Sequence, residues 1–312
     1  MRLINPTVQL LKQDKGLEGI FKQIELVSRT CYKSEDKIDE GSARPFVNKM
    51  IASKHTAMLE HGTVYLYYLA DSYSKEGEKS MIKKYADNPY TQMFWKAEDD
   101  YWDEESVEPK GRVEFFITTN YRVIVENNWK DDLQYLCEPT PFHPKRYTLR
   151  FITDRGVSHE LVRHRAMSFA QESTRYCNYI KDKFGNELTF IIPSWSKLTE
   201  GNYTFSTKET FQLNEADFML MSSLCLDEYR YIHSINQLGL SPQQARQLLP
   251  NALKTEICVT GFESNWKHFF NLRLFGITGK PHPDMEKVAS MAFSVFEEAG
   301  IIKSITEQLG EI

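Results

Sequence analysis

Three segments of this chain combine β-branched and aromatic residues, and they constrain the fold more than any other feature. They are residues 62–70 (GTVYLYYLA), 112–128 (RVEFFITTNYRVIVENN) and 146–154 (RYTLRFITD). Such runs are typical of buried strands. The segments between them do not alternate with the strands in a regular βαβ order, which disfavours a parallel, doubly wound sheet. We therefore predict an α+β fold with mixed helices packed on an antiparallel-rich sheet, as one domain over residues 1–312.

Apolar residues at helical spacing predict the helices that cover this sheet. Residues 17–27 place their apolar side chains on one stripe, and residues 44–55 indicate a second helix. The sequence SPQQ at 241–244 combines a serine N-cap, a proline at the first helical position and a glutamine three residues after the serine. Two more helices are predicted over residues 264–276, ending at a glycine, and over residues 284 to about 308, where Gly300 allows a break.

The segment from about 71 to 110 differs in character from the rest of the chain. Residues 71–90 (DSYSKEGEKSMIKKYADNPY) are polar, and residues 97–111 (AEDDYWDEESVEPKG) are polar and strongly acidic. We interpret it as an insertion on the surface of the domain.

Composition excludes several classes of protein. The net charge of -5 and the pI of about 6.0 provide no positive field for a polyanion, so a general nucleic-acid binder is not expected. Neither a signal peptide nor an apolar run of membrane-spanning length is visible, so we expect a cytoplasmic protein without a membrane partner. The cysteines are odd in number, lack a CxxC pair and are read as reduced thiols: Cys31, Cys137, Cys177, Cys225 and Cys258.

The stretch RHRAMSFAQESTRY, residues 163–176, concentrates positive charge in a segment that is otherwise half apolar. In a helix, Arg163 and Arg165 would diverge by about 200° and could not share a small ligand. We therefore expect the preceding helix, with Ser158 as its N-cap and Glu160 in its first turn, to end near residue 163.

In an extended chain, residues two apart point to the same side. Ser173 and Arg175 would then present a hydroxyl and a guanidinium together, a combination suited to phosphate. The alternative is a charged helix with ordinary surface salt bridges.

A second arginine lies where an apolar residue is expected. On a helical wheel of residues 264–275, Arg273 falls near the middle of the apolar arc, seven residues after Trp266. Because a buried unpaired charge costs several kcal/mol, either a buried acid or a ligand must pair with this guanidinium. The sequence does not decide between the two.

The remaining candidates are individually weak. His55 and His61 lack HExxH spacing; with Glu60 they would make a metal site, but structural histidines are the simpler interpretation, and we predict no metal. Ser173 or Cys177 as a hydrolase nucleophile is a further alternative, although no GxSxG motif is present. An RNA-binding module in which tyrosines stack on bases is another alternative, but the acidic pI disfavours it.

Arg163, His164, Arg165 and, after seven residues, Ser173 match the RHR-x7-S signature of the flavin-dependent thymidylate synthases, which this chain resembles. Other segments that resemble blocks of that family are RTCYKS, HTAMLEHGTVYLYY, TNYRVIVEN, ARQLLP and KHFFNLR. The resemblance implies a homotetramer with active sites shared between subunits. It also implies that FAD and dUMP bind, with methylenetetrahydrofolate as carbon donor and NADPH as reductant of the flavin.

The resemblance also implies roles for individual residues. Those implied to bind the flavin are Arg163, His164, Arg165, Gln171, His268, His55 and Glu60. Those implied to bind dUMP are Glu160, Arg163, Gln171, Ser173, Thr174, Arg175, Arg246 and Arg273. Arg273 would be catalytic, stabilising the uracil anion formed when N3 loses its proton, so that C5 becomes nucleophilic without a cysteine adduct. Cys177 is therefore predicted to be dispensable.

The chain departs from the family pattern in places. Phe262, Glu263 and Ser264 occupy positions where many members have asparagine-x-arginine, which weakens the expected flavin contacts there. The family pattern gives no role to His282.

Overall fold

The structure of the chain is a computed structural model that describes residues 1–70, 76–97, 112–204 and 212–302. The helices of these residues are α1 (Gly16–Tyr32), α2 (Ala43–Ala52), α3 (Glu76–Ala86), α4 (Tyr121–Glu126), α5 (Arg155–Leu161), α6 (Glu215–Asn236), α7 (Pro242–Ala245), α8 (Glu263–Arg273) and α9 (Pro283–Glu298). The strands are β1 (Arg2–Ile4), β2 (Thr7–Leu11), β3 (Thr63–Ala70), β4 (Gln92–Ala97), β5 (Val113–Asn120), β6 (Arg146–Asp154), β7 (Ser168–Gln171), β8 (Thr189–Ile191), β9 (Gly201–Asn202) and β10 (Lys254–Phe262). None of the described helices is both long enough and apolar enough to cross a membrane.

A four-stranded antiparallel sheet forms the centre of the fold, with strand order β2-β6-β10-β7. Strands β6 and β10 pair along nine residues, from Arg146 opposite Phe262 to Asp154 opposite Lys254. The prediction of an α+β fold with an antiparallel-rich sheet is confirmed, and β6 has the predicted bounds.

A second antiparallel sheet has the order β3-β5-β4. A third, small sheet has the order β8-β1-β9 and is mixed, since β1 pairs with β8 in parallel and with β9 antiparallel. The predicted strand over residues 112–128 is correct only in its first half. At Asn120 the chain turns into α4, because the Asn120 side chain accepts a hydrogen bond from the Val123 amide at 3.1 Å and caps that helix.

One of the main core clusters lies where α8 and α9 cover one face of the central sheet. Trp266, Phe269 and Phe270 of α8 are buried, and Phe296 of α9 meets Trp266 edge-to-face with ring centroids 5.4 Å apart. These are the residues that the helical wheel predicted to be apolar and inward. Helix α9 ends at Glu298, next to the break that the sequence allowed at Gly300, where φ is 72°. Residues 303–312 lie outside the described residues.

The predicted surface insertion is in part a structured element of the domain. Within residues 76–97, α3 buries Ile82 and Tyr85, and β4 pairs with β5. The Tyr85 hydroxyl donates to Asp132 at 2.6 Å, which anchors α3 to the 3-10 segment at residues 130–135. Polar composition concealed these elements because α3 buries only one face. The acidic residues 98–111 lie outside the described residues.

The longest described helix, α6, has no counterpart in the sequence predictions. Few of its residues are buried, so its apolar stripe is weak. The large buried apolar side chains are Met221, Leu224 and Tyr231. Its start does carry a signal, since the Asn214 side chain accepts from the Asp217 amide at 3.0 Å.

Candidate active site

Helix α5 delivers the RHR segment to the site. The side chain of Asp154, the last residue of β6, accepts from the Val157 amide at 2.8 Å and caps the helix. Ser158 is therefore not the N-cap as predicted; it lies inside α5 and donates to the Arg155 carbonyl at 2.8 Å. Glu160 is correspondingly in the last turn and not the first. Helix α5 begins earlier than predicted because β6 runs directly into it, which leaves Asp154 at the junction as the N-cap.

After α5 ends at Leu161, the chain turns at residues 162–167, called the RHR turn below, and becomes extended in β7. The prediction that the helix ends near residue 163 is confirmed. Ala166 adopts φ 68° in this turn, a left-handed conformation that favours glycine. The turn leaves Arg163 and Arg165 exposed on either side of the buried His164. Neither guanidinium makes an ion pair with another described residue.

Arg273, at the end of α8, reaches back over 109 residues to this turn. Its Nε donates to Nε2 of His164 at 3.1 Å, and its Nη1 donates to the Glu160 carboxylate at 2.6 Å. The sequence left open whether an acid or a ligand pairs with Arg273, and in the structure Glu160 is paired with it. The pair is not fully buried, since the two side chains are 23% and 30% exposed. Both groups therefore remain reachable by a ligand.

His164 is held as a neutral imidazole. Because a guanidinium can only donate, Nε2 must accept from Arg273, and a ring proton can then reside only on Nδ1. Burial, followed by the charge of Arg273, lowers the pKa of His164 to about 4. The ring packs edge-to-face on Phe269 at 5.1 Å, and the exposed His268 lies 6.0 Å away.

A second group of candidates surrounds the turn after β7 at residues 173–176, called the Ser173 turn below. The Ser173 amide donates to the carbonyl of Cys31 at the end of α1, at 2.9 Å. The Arg175 amide donates to the Ser173 hydroxyl at 3.3 Å, and the Arg175 Nε donates to Gln243 of α7 at 3.3 Å. The expected extended arrangement of Ser173 and Arg175 is thus wrong. This segment is a turn, which the local hydrogen bond from the Arg175 amide to the Ser173 hydroxyl stabilises.

Arg246 directly follows α7, three residues after Gln243, and is exposed. Thr174 is buried at the base of the turn. The described residues therefore bring Arg175 and Arg246 to the same helix and leave Arg273 with the RHR turn. No hydrogen bond or ion pair among the described residues joins these two groups.

Gln171 lies between the two groups at the end of β7. Its amide nitrogen donates to the Ser158 hydroxyl at 2.8 Å and to the Thr255 hydroxyl at 3.1 Å. The side chain thereby ties α5 to β10. It fixes the strand that connects the RHR turn to the Ser173 turn.

The HTAMLEH segment occupies a third location. His55 is exposed, whereas Glu60 accepts from Nη1 of Arg122 at 2.6 Å. His61 is buried, with Nδ1 2.7 Å from the Thr260 hydroxyl, and burial lowers its pKa to about 3. These residues do not form a metal-ligating group. Among the described residues, no cluster of three or more His, Cys, Asp or Glu side chains is arranged to hold a metal ion.

A buried ion-pair network beneath the Ser173 turn was missed by the sequence analysis. Lys254 donates to Glu172 at 2.8 Å and to Glu256 at 2.6 Å, and Lys33 and Arg150 also bind Glu256. Burial would raise the pKa of Glu256, but these cations outweigh it and lower the pKa to about 2. The available signal was the alternation of Lys254 and Glu256 within an apolar strand.

The candidate nucleophiles lack activation. Burial raises the pKa of Cys177 to about 11, so the thiol is protonated at neutral pH. Neither Cys177 nor Ser173 forms a hydrogen bond with a histidine among the described residues. This geometry weighs against the hydrolase alternative.

Comparison with known proteins gives matches over most of the chain. The model of the family described as "Thymidylate synthase complementing protein" matches residues 77–299. The flavin-dependent thymidylate synthase of Pyrococcus furiosus is 33% identical over 196 residues, 62% of this chain and 69% of that protein. The enzyme of the same name from Thermococcus onnurineus is 30% identical over 208 residues, 64% of this chain and 71% of that protein.

The solved structures that match are more distant in sequence. A UMP/dUMP methylase, PolB from Streptomyces cacaoi bound with 5-Br dUMP, has 15% identity and a TM-score of 0.42, covering 96% of this chain and 93% of that one. Thymidylate synthase X from Helicobacter pylori, with FAD and dUMP, has 12% identity and a TM-score of 0.39, covering 96% and 98% of the two chains.

Proposed function

Because the chain belongs to the family of flavin-dependent thymidylate synthases, we propose that it converts dUMP to dTMP by reductive methylation. Methylenetetrahydrofolate supplies the carbon, and FAD reduced by NADPH supplies the hydride. The observation that carries this proposal is the contact of Arg273 with His164 and Glu160, which connects a distant cation to the RHR motif.

The residues around the RHR turn fit a flavin dinucleotide. Arg163 and Arg165 are exposed cations without a described acid partner, which suits the two phosphates of FAD. His268 is exposed beside them. At the departure from the family pattern, Ser264 stands where many members have arginine, so a hydroxyl replaces a cationic donor. Oε1 of the adjacent Glu263 is buried without a hydrogen-bond partner among the described residues. Bound flavin supplies the hydride that completes the methyl group.

Arg273 acts on the uracil ring. A guanidinium beside the ring stabilises the anion formed when N3 loses its proton, which raises electron density at C5. Glu160 and His164 orient Arg273 through three of its nitrogens, so its position is set before the nucleotide arrives. The carboxylate of Glu160 also contacts the nucleotide. No protein nucleophile takes part.

The second group binds the phosphate end of dUMP. Arg175 and Arg246 provide the charge, and Ser173 and Thr174 provide hydroxyl donors. The network of Lys254 and Glu172 beneath this turn holds it in place. Gln171 bridges to the flavin side.

The two groups combine across subunits in a homotetramer. Arg273 with the RHR turn comes from one subunit, and Arg175 with Arg246 comes from another. The support for this arrangement is that the described residues place these arginines in two groups with no contact between them. A complete site then requires more than one chain.

The proposal is tested by assaying the purified protein with FAD, dUMP, methylenetetrahydrofolate and NADPH. We expect visible flavin absorbance and formation of dTMP that depends on all four components. Omitting dUMP or the folate provides the controls. A protein that fails to bind FAD, or that forms no dTMP with flavin bound, contradicts the proposal.

A further inference from the structure

A cavity of about 380 Å³ lies between the start of α1, the end of β2 and the loop at residues 136–139. Its volume falls in the range of small-molecule sites, which is about 300–1,000 Å³. None of the residues proposed above to bind dUMP or FAD lines it. The cavity is therefore separate from the proposed active site in the chain.

Arg146 is the unusual residue of this cavity. Its side chain is only 8% exposed, yet it makes no ion pair with any described carboxylate. Nη2 donates to the Glu60 carbonyl at 3.1 Å, Nη1 reaches the Thr63 hydroxyl at 3.4 Å, and Nε has no partner among the described residues. Burial lowers the pKa of Arg146 to about 10, so it is still a cation at neutral pH. The guanidinium also lies over the Phe262 ring, 5.4 Å from its centroid, but it has no ion-pair partner among the described residues. A buried cation without an ion-pair partner is costly, and an anionic ligand lowers that cost.

The other walls divide into an apolar part and a polar part. Leu10, Ile20 and Leu136 give the cavity an apolar wall, and Thr63 and Tyr65 lie on the polar side with Arg146. The cavity therefore suits a ligand with one polar end and an apolar body.

The rim adds positive charge. Lys12 and Lys15 are exposed there and form no ion pair among the described residues, whereas Asp14 is paired with Lys22 at 3.7 Å. Glu138 is the other acid of the lining. The cationic side chains thus exceed the free acids at this entrance, which favours an anion.

We propose that this cavity binds a small organic carboxylate, with the carboxylate on the Arg146 guanidinium and the apolar body against Leu10, Ile20 and Leu136. A planar guanidinium binds a carboxylate through two parallel hydrogen bonds, a geometry that a neutral amide cannot reproduce. The site does not depend on the proposed thymidylate synthase activity, because its residues are different.

The test uses benzoate as the probe and benzamide, its neutral isostere, as the matched control. Saturation-transfer NMR on the wild-type protein should show that benzoate binds at least about tenfold more tightly than benzamide. Benzoate should also slow alkylation of Cys137, which lines the cavity, while Cys225, outside it, reacts at an unchanged rate. Equal binding of the two probes, or unchanged alkylation of Cys137, overturns the proposal.

Two variants locate the binding. Arg146→Met removes the charge, and Leu136→Trp fills the cavity while keeping Arg146; each should abolish benzoate binding. Arg230→Met, at an exposed arginine elsewhere, should retain it. FAD binding is measured in parallel, so failure here is distinct from failure of the proposed enzyme activity. Benzoate binding that persists in Leu136→Trp contradicts the assignment, even where Arg146→Met does not fold.

Discussion

A single hydrogen bond defines the chemical state of His164. Its Nε2 accepts from Arg273, and the same arginine lowers the pKa of the ring in addition to the effect of burial. The imidazole is therefore a positioning group that stays neutral at physiological pH, and Arg273 keeps its full charge. At the residue scale, the proposed chemistry depends on this arginine more than on any titrating group.

We expect Arg273→Ala to reduce dTMP formation by about a hundredfold or more, because it removes the charge that stabilises the uracil anion. The side chain is 23% exposed, so the free energy of unfolding should change by no more than about 1 kcal/mol. Single-turnover dTMP formation and chemical denaturation measure the two effects. Arg230→Ala is the matched control, and an Arg273→Ala enzyme with wild-type rates would remove the role assigned here.

Cys177→Ala should retain activity per folded molecule, since the buried thiol has a raised pKa and no histidine partner among the described residues. Loss of packing should lower stability by about 1 kcal/mol. Steady-state dTMP formation, corrected for folded protein, checks this. Complete loss of activity with the fold preserved would restore the nucleophile hypothesis.

At the scale of elements, the capped helix α5 determines where the RHR turn lies. Asp154→Ala removes the cap and should lower the free energy of unfolding by about 1 kcal/mol. Because Glu160 lies in this helix, activity should fall as well. Asn214→Ala removes the cap of α6 as the matched control and should cost similar stability without loss of activity. If both variants lost the same activity, the cap of α5 would have no specific effect on the site, which would contradict this prediction.

The ion-pair network on β10 makes stability depend on acid pH. Glu256 has a pKa of about 2 in the folded chain against 4.5 for the ordinary group, so the folded state favours its ionised form. This contribution is complete above pH 4.5 and is lost as the pH falls toward 2, on the order of 3 kcal/mol in total. Glu256→Gln should flatten this part of the stability–pH curve measured by denaturation. The exposed Glu297→Gln should leave the curve unchanged, and an unaltered slope in Glu256→Gln would refute the assignment.

At the scale of the whole molecule, two arginine groups in one chain require a second chain to complete a site. Arg175→Ala and Arg273→Ala proteins should each be inactive alone. Unfolded together and refolded as a mixture, they should recover about a quarter of wild-type activity, because some sites then draw both intact arginines from different subunits. Recovery is measured as dTMP formation against each variant refolded alone. A mixture as inactive as its components would contradict the shared site.

Strands β3 and β6, the part of the 112–128 segment that forms β5, the apolar face of α8 and the family were predictable from the sequence. β6 and the inward Trp266, Phe269 and Phe270 follow from residue type and spacing, since burial selects apolar side chains at the period of each element. The RHR-x7-S spacing is likewise a local pattern and identifies the same family as the comparisons. Helix starts were less predictable, because Asp154 and Ser158 are both acceptable caps and the end of β6 selects Asp154.

Which charged side chains meet depends on how the elements pack in three dimensions. Glu160, His164 and Arg273 meet because the end of α8 lies near the end of α5 and the turn that follows it, and no sequence spacing encodes that contact. The pairing of Lys254 with Glu172 and the isolation of Arg146 depend in the same way on which strands are neighbours in the sheets. Local periodicity specifies which face of an element is buried, whereas long-range ion pairs depend on the positions of whole elements. That is why the residues of the site were visible in the sequence and their partners were not.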